Sequence, residues 1–567
     1  MFSSGAKSDQ QVALQVGVVG IVSTVIEITT MALPTLQSLC QQQMMESMRM
    51  GRWDNCSENP FRSMPTKIVN ILMDCLYSLP HTHFLKIEDS LLLLTSGKIK
   101  QLDFRYFKNN EFNEYDPDDF FCKDICATYN VLYNKVKYNQ SERYYKRAKI
   151  HHANDDQATD DILLHMVSKD SCQNIRTFIL PPYWCFDAST ITSLIQTSPN
   201  LEEIHASSGF EFEVLRNRQE LRNLRLHLDI LKFFGDQPEA MVGILASIKN
   251  LEIFALFAAL RNPHEYFKLI AKVLMVCPNI TSLGLVDSSF ALHHIHKEKE
   301  TPIQFKLQKC FWGVCRRTRT LFQKVPFNIP AYRDSSEFIR NSVELCPLVE
   351  ELALQVFDKP NIRYLSHLKH LTTLELDFIH WKTFSMDFLL ALLSEIGSQI
   401  KHLSLDVNDP LYTEGHEIYI DGIFKLCVNL ETLKVIGISR VHKNVEACDS
   451  LSCLKRLCLG DTDNNCLAFL LQNCPNLEEM FLTQMLRGNL LEEILRQYPP
   501  LNLKIIYLHR IIPRENIKII LQNAKNLEKV CIPHDNDHLR ELYPDVVVDE
   551  NLRNLEYFEH RFHNCVF

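Results

Sequence analysis

Glycine is scarce in this chain, 16 residues in 567, and no Gly/Ser tract occurs. Long flexible linkers are therefore excluded, and so is a phosphate loop of the Gly-x-x-x-x-Gly-Lys-Ser/Thr type. A Gly-x-Ser-x-Gly elbow and a His-Glu-x-x-His helix are missing as well, which removes the hydrolase classes built on those motifs. No Cys-x-x-Cys pair exists, and Cys122/Cys126 and Cys310/Cys315 are spaced wrongly for a standard zinc site. His293, His294 and His296 stand together with no ligand-spaced cysteine or carboxylate set nearby. A surface loop is expected there, and no metal or other cofactor is expected anywhere. Positive charge is in deficit, 60 Lys+Arg against 69 Asp+Glu for a net −9, the wrong sign for a general nucleic-acid binder. The apolar run Val12 to Ile26 is too short to cross a bilayer, so no membrane partner is expected.

What the chain does have is one phrase repeated: Leu-x-x-Leu-x-Leu. Counted from its first apolar residue, it occurs at Ile175, Leu201, Leu221, Leu251, Ile280, Val349, Leu371, Ile400, Leu430, Leu454, Leu477, Leu503, Leu527 and Leu555. Two copies are weak, ending in Ala206 and His560. Several follow a Cys-Pro-Asn turn or a relative of it, as at Ser198-Pro199-Asn200, Cys277-Pro278-Asn279 and Cys474-Pro475-Asn476. Apart from one step of 69 residues between Ile280 and Val349, the spacing averages about 26, inside the range of leucine-rich repeats.

The physical reading of one repeat is direct. The last two apolar residues of a phrase are two apart, so they point to one side of a short strand. Patterns such as Phe388 to Leu393 and Leu491 to Leu495 between the phrases read as helices. No single repeat buries its apolar side alone; stacking closes the core. The expected fold is therefore α/β, a leucine-rich-repeat horseshoe with parallel strands on the concave face and helices on the convex one. A fixed period of this kind makes a binding surface rather than an active site, so no enzyme activity is expected.

The same alternation names the concave positions. They include His402/Ser404, Thr432/Lys434, Arg456/Cys458, Glu479/Phe481 and Ile505/Tyr507. Arg and aromatic residues are enriched at binding hot spots, so Arg456, Phe481, Ile505 and Tyr507 are candidate contacts for a protein substrate. The competing reading is an end cap, from Glu541 to Phe567, folded over Phe481, Ile505 and Tyr507.

Nineteen cysteines are spread along the chain. Cys277, Cys346, Cys427 and Cys474 share one repeat position, just before a phrase, where a small apolar side chain stacks. Such a reduced-thiol pattern points to the cytoplasm or nucleus. A secreted chain is the alternative, on the signal-like length of residues 12–26 and the Asn-x-Ser/Thr triplets at Asn55, Asn139 and Asn279. The charges around that run, Lys7 balanced by Asp9 and then Glu27, fit an amphipathic or buried helix instead.

The order along the chain is a tail and apolar helix (1–34), a short helical segment (35–80) and the repeats (81–567). Insertions are expected near 108–170 and 286–345, and Ile99-x-x-Leu102-x-Phe104 opens the repeats. The 69-residue step hides one or two degenerate repeats and a charged stretch holding Trp312. The basic run Lys135 to His152, interleaved with tyrosines, reads as a solvated helix or loop.

In the helical segment Leu36, Cys40 and Met44 recur every four residues and share one helix face. Met64, Ile68 and Leu72 repeat the pattern, and Pro65 suits a helix start. Thr35-Leu36-Gln37-Ser38-Leu39-Cys40-Gln41-Gln42-Gln43-Met44 resembles an elongin-C-binding BC box, with Met44 where Ala, Ile, Leu or Val is usual. Met64-Pro65-x-x-Ile68 resembles the cullin-2 box that follows it in substrate receptors such as the PRAME family. The Cys-Pro-Asn-Leu-Glu turns resemble F-box/LRR proteins too, with an F-box beginning at Pro60-Phe61-Arg62-Ser63-Met64-Pro65. The resemblance implies a non-catalytic substrate receptor of a cullin-RING ubiquitin ligase. Its adaptor contacts would be Leu36, Cys40, Met44, Met64, Pro65, Ile68 and Leu72. Its partners would be elongin C, elongin B and cullin-2, or Skp and cullin-1. A repeat scaffold without ligase partners is the alternative.

Overall fold

A computed structural model of the chain describes residues 43–44, 46–48, 58–77, 92–103, 171–180, 188–206, 210–226, 238–256, 263–298, 303–312, 335–356, 359–378, 384–407, 417–442, 451–482, 488–508, 514–531 and 547–549. The runs at 12–26, 108–170 and 135–152, Leu36, Cys40 and the phrase at Leu555 lie outside these residues. Two compact units are present, Met1–Leu251 with Phe257–Ala259, and Glu252–Leu256 with Leu260–Phe567.

The strands fall where the leucines put them. Every phrase from Ile175 to Leu527 opens a strand two residues later, because the alternation sets which residues turn inward. In the first unit these are β1 (Gln101–Asp103), β2 (Thr177–Ile179), β3 (Glu203–Ala206) and β4 (Asn223–Leu226). They pair parallel in chain order. Helices of this unit include α1 (Thr66–Tyr77), α2 (Ala188–Thr197) and α3 (Pro238–Ser247).

The second unit begins with β5 (Ile253–Leu256), α4 (Pro263–Val276), β6 (Ser282–Asp287), α5 (Ser289–Glu298) and β7 (Lys309–Trp312). It continues through α6 (Ser335–Leu345), β8 (Glu351–Val356), β9 (Thr373–Phe378), α7 (Met386–Ile396), β10 (His402–Asp406), β11 (Glu417–Tyr419) and α8 (Ile420–Leu426). Then come β12 (Thr432–Arg440), β13 (Arg456–Thr462), α9 (Asn464–Asn473), β14 (Glu479–Leu482), α10 (Gly488–Gln497), β15 (Ile505–Leu508), α11 (Arg514–Asn523), β16 (Lys529–Cys531) and β17 (Val547–Asp549). From β5 to β17 the strands pair parallel in chain order. The exception is β11, which sits beside the far end of β12 and lets β10 pair with β12 directly. Parallel neighbours require a crossover, and helices or short 3-10 turns supply it. Both units are thus leucine-rich-repeat solenoid segments of the α/β class.

Three contacts recur from repeat to repeat. The residue after the first leucine accepts two backbone N–H groups from the next repeat: Glu431 and Thr432 both donate to Lys401 O, at 2.7 and 3.0 Å. The asparagine of the turn donates its Nδ2 to a backbone carbonyl of the preceding repeat, as Asn429 to Ser398 O at 2.7 Å and Asn476 to Ser452 O at 2.8 Å. In seven repeats the residue three before the phrase is small and buried: Cys172, Ser198, Cys277, Cys346, Cys427, Cys474 and Ala524. These cysteines are free thiols.

Within the 69-residue step, one degenerate repeat stands among the described residues. Leu307, Cys310 and Trp312 take the three apolar places, all buried, and carry β7. The histidine cluster is not a loop. It lies on α5, where the His293 ring is buried 4.1 Å from the Phe338 ring, and its Nδ1 is 3.0 Å from Asn341 Nδ2. His294 faces Glu298, and His296 faces Glu344. Among the described residues no helix is long and apolar enough to cross a membrane.

Candidate binding surfaces

The segment ahead of the repeats is fastened by two asparagines. Asn59 caps the 3-10 turn Pro60–Ser63 by accepting from Phe61 N at 2.9 Å, and its Nδ2 donates to Leu92 O at 2.6 Å and Thr95 Oγ1 at 3.0 Å. Asn70, on α1, donates to Lys98 O at 3.2 Å and accepts from Lys100 N at 3.0 Å. Phe61 is fully buried beneath them. The segment therefore seals the first strand of the array, which satisfies backbone groups that would otherwise end in water.

This fastening corrects one expectation. The stripe Met64, Ile68 and Leu72 does not lie free as a set. Met64 is 7% exposed and Leu72 1%, because the apolar face of α1 is used to close the core of its own unit. Pro65 is exposed and Ile68 half-buried. Met44 is helical and half-buried.

The open face of the first unit is polar. Glu203 Oε1 lies 2.8 Å from His205 Nε2 and accepts from Asn223 Nδ2 at 2.6 Å, and Arg225 Nε donates to Asn223 Oδ1 at 3.3 Å. The hydrogen bond from His205 holds the Glu203 carboxyl below its ordinary range against the cost of burial, with the His205 and Arg225 charges adding to it. These four groups bind one another across β3 and β4, so the network fixes strand register as well as presenting polarity.

The open face of the second unit changes character along its length. Towards the start, Lys309 Nζ is 2.7 Å from Glu351 Oε1, and burial pushes the Glu351 carboxyl up. In the middle, His402 and Arg456 flank Thr432 on neighbouring strands. Burial pushes the His402 imidazole down; Glu431 pulls it up, and the Arg456 and Lys401 cations add to the depression. Towards the end, Ile436, Cys458, Phe481 and Tyr507 close into an apolar cluster with Ile505 packed on it.

That cluster corrects a second expectation. Phe481 and Tyr507 are each 1% exposed, so neither lines an open surface. Their rings sit 6.1 Å apart at 43°, a tilted pair. The end cap expected over them, Glu541 to Phe567, lies outside the described residues apart from Val547–Asp549. Of the predicted contacts only Arg456 and Ile505 stay half-exposed. The alternation placed Lys434 on this face too, as an exposed residue. It stands in register with Ser404 and Cys458 and is buried rather than solvated. Among the described residues no group of three or more His, Cys, Asp or Glu could hold a metal ion.

No family model matches the chain, and no curated protein matches it. Among solved structures, the crystal structure of a Rad7 and Elc1 complex in yeast aligns at 13% identity and TM-score 0.34, covering 92% of this chain and 96% of the other. The leucine-rich-repeat protein LegL7 from Legionella pneumophila aligns at 12% identity and TM-score 0.29, covering 64% and 95%. Likeness this slight says nothing of what the chain binds.

Proposed function

We propose that this chain is a non-catalytic substrate receptor of a cullin-RING ubiquitin ligase. Residues 35–80 dock the ligase adaptor, and the open face of the repeats holds the protein to be modified. Ubiquitin then reaches that protein through proximity, the entropic gain of holding two reactants together. The chain supplies no catalytic group to the transfer. Elongin C with elongin B and cullin-2 is the partner set that fits the order of the two boxes best; Skp with cullin-1 is the second. The free repeat thiols support a reducing compartment, cytoplasm or nucleus, as the place of work.

The observation that supports this reading is the placement of α1. Its start, Pro65 and Ile68, stays accessible while Phe61, Met64 and Leu72 anchor the same segment to the first strand of the repeats. A partner held at Pro65 and Ile68 is therefore tied rigidly to the repeat surface of that unit, as a receptor requires.

The test is calorimetric binding of the purified elongin B–elongin C pair to the full chain. Leu36→Ser with Cys40→Asp should abolish binding and leave thermal unfolding unchanged. Retained binding by that variant sinks the BC-box assignment, and binding to Skp in its place selects the F-box version.

A further inference from the structure

The rim at the N-terminal ends of strands β10 to β16, in the second unit, matches its own reverse. The residue after the first apolar residue of each phrase there runs Lys401, Glu431, Lys455, Glu478, Lys504 and Glu528. Each of the first five accepts two backbone N–H groups from the next repeat, so the six form one row across six adjacent strands. All are exposed or half-exposed, and their signs alternate without a break. Within the chain Lys455 Nζ lies 3.9 Å from Glu431 Oε2, and Lys504 Nζ lies 2.8 Å from Glu478 Oε2. Such pairs account for the alternation by themselves.

They do not account for a second row beside it. Two residues before each phrase stand Ser398, Val428, Ser452, Pro475, Leu501 and Lys525, all exposed. Turn asparagines of the following repeats hold the carbonyls of Ser398, Ser452, Pro475 and Leu501 at 2.6–2.8 Å, so the row is fixed in place. Val428 is 42% exposed and Leu501 57%. A single exposed apolar residue is ordinary; the positions of these two are not. Reversing the strand order about the midpoint between β13 and β14 lays Val428 on Leu501. The same reversal lays Lys401 on Glu528, Glu431 on Lys504 and Lys455 on Glu478.

We propose that two copies of this chain associate rim to rim, about a two-fold axis between β13 and β14. A two-fold interface needs a surface that complements its own reverse, and this rim does so in charge and in apolar contact. The pairs within each chain are kept. Glu431 and Lys455 of one copy face Lys504 and Glu478 of the other, which closes a four-charge network on each side of the axis. Charge networks contribute where isolated exposed pairs do not. The match is confined to this stretch. In the first unit the row reads Lys100, Arg176, Glu202 and Arg222, and reversal sets Lys100 against Arg222. Earlier in the second unit it reads Glu252, Thr281, Gln308, Glu350 and Thr372, with no cation. Six strands span about 24 Å, so the interface is small and the association weak and reversible. The inference goes beyond the ligase reading and uses none of its adaptor residues.

The experiment is sedimentation velocity of the full chain over a concentration series, in low and high salt. Wild type is run beside Glu431→Lys, Lys504→Glu and Leu501→Asp. The wild-type chain should pass from monomer to dimer as concentration rises, and less readily in high salt, which screens exposed charges. Either charge reversal sets like charges against each other at two places across the axis. Each should weaken self-association about tenfold or more, and L501D should weaken it as well. An equimolar mixture of E431K and K504E should recover wild-type association, because the two reversals face each other across the axis. Damage within either chain cannot produce that recovery. A wild-type chain that stays monomeric overturns the proposal. So does a dimer that the three variants leave intact, or a mixture that associates no more tightly than its components.

Discussion

Gly397→Ala tests how the repeats are held together. Gly397 closes α7 and takes the place, three residues before Ile400, that cysteine takes in other repeats. Its backbone, φ −58° and ψ −34°, is helical. On conformational grounds alone alanine there would stabilise by about 0.4–1 kcal/mol, by restricting the unfolded chain. The contacts say otherwise. An added Cβ would stand 2.6 Å from Leu426 O and 3.2 Å from Cys427 Sγ of the next repeat. The first of these is backbone, so no rotamer change relieves it, and the two repeats must separate by most of an ångström. The bonds from Glu431 N and Thr432 N to Lys401 O would stretch with them. Overpacking of this kind costs about 1–3 kcal/mol, enough to reverse the sign. Urea unfolding should therefore show a net loss of about 1–2 kcal/mol for G397A. Hydrogen exchange should speed up first at Glu431 and Thr432. A variant as stable as wild type, or more so, refutes the close inter-repeat approach.

The remaining predictions concern the thiols and the helix before the repeats. Burial pushes the thiols of Cys277, Cys427, Cys466 and Cys474 up to about 12. They should resist iodoacetamide at pH 8 in the folded chain while exposed Cys453 reacts; equal labelling of all five would contradict the assignment. Because the folded-state values are raised, the stability they carry is complete below pH 9 and is lost as pH rises from 9 towards 12. Each thiol adds a fall of about 1.4 kcal/mol per pH unit in that window, and a flat alkaline limb would show the thiols to be accessible. Leu72→Ala should destabilise the first unit by about 2–5 kcal/mol, as for other buried leucines. Ile68→Asp should leave its unfolding within about 0.5 kcal/mol and weaken cullin capture; the opposite pattern would mean that the buried and accessible faces of α1 have been exchanged.

Much of the fold was legible because a leucine-rich repeat is specified locally. Three apolar residues at fixed spacing set the strand, its register and its inward side, and so every phrase from Ile175 to Leu527 opened a strand. The degenerate repeat at β7 was expected within the 69-residue step but not placed, because Cys310 and Trp312 stand where the pattern has leucines. The turn asparagines were visible as a motif and opaque as a cause. The carbonyl that Asn476 satisfies belongs to another repeat, 24 positions away. Exposure on the open face was the least readable property. Alternation says which face a residue takes, and it located Phe481, Tyr507 and Lys434 correctly on that face. Whether a face residue meets water depends on side chains from other strands, which no local pattern carries. The same holds for α1, where period-four spacing gave one apolar stripe and tertiary packing divided it between core and surface.

The central claim is that the chain joins a ligase through residues ahead of its repeats. Deleting residues 35–80 would remove Phe61, Met64 and Leu72 from the core and confound loss of binding with loss of fold, so substitutions are the right perturbation. The measurement is affinity capture of the tagged full chain from cells followed by mass spectrometry, wild type beside Leu36→Ser/Cys40→Asp. Elongins B and C with cullin-2 in the wild-type capture, lost from the variant while other partners stay, is the result expected. Capture of neither elongins nor Skp by the folded wild-type chain would contradict the claim and leave a repeat scaffold without a ligase.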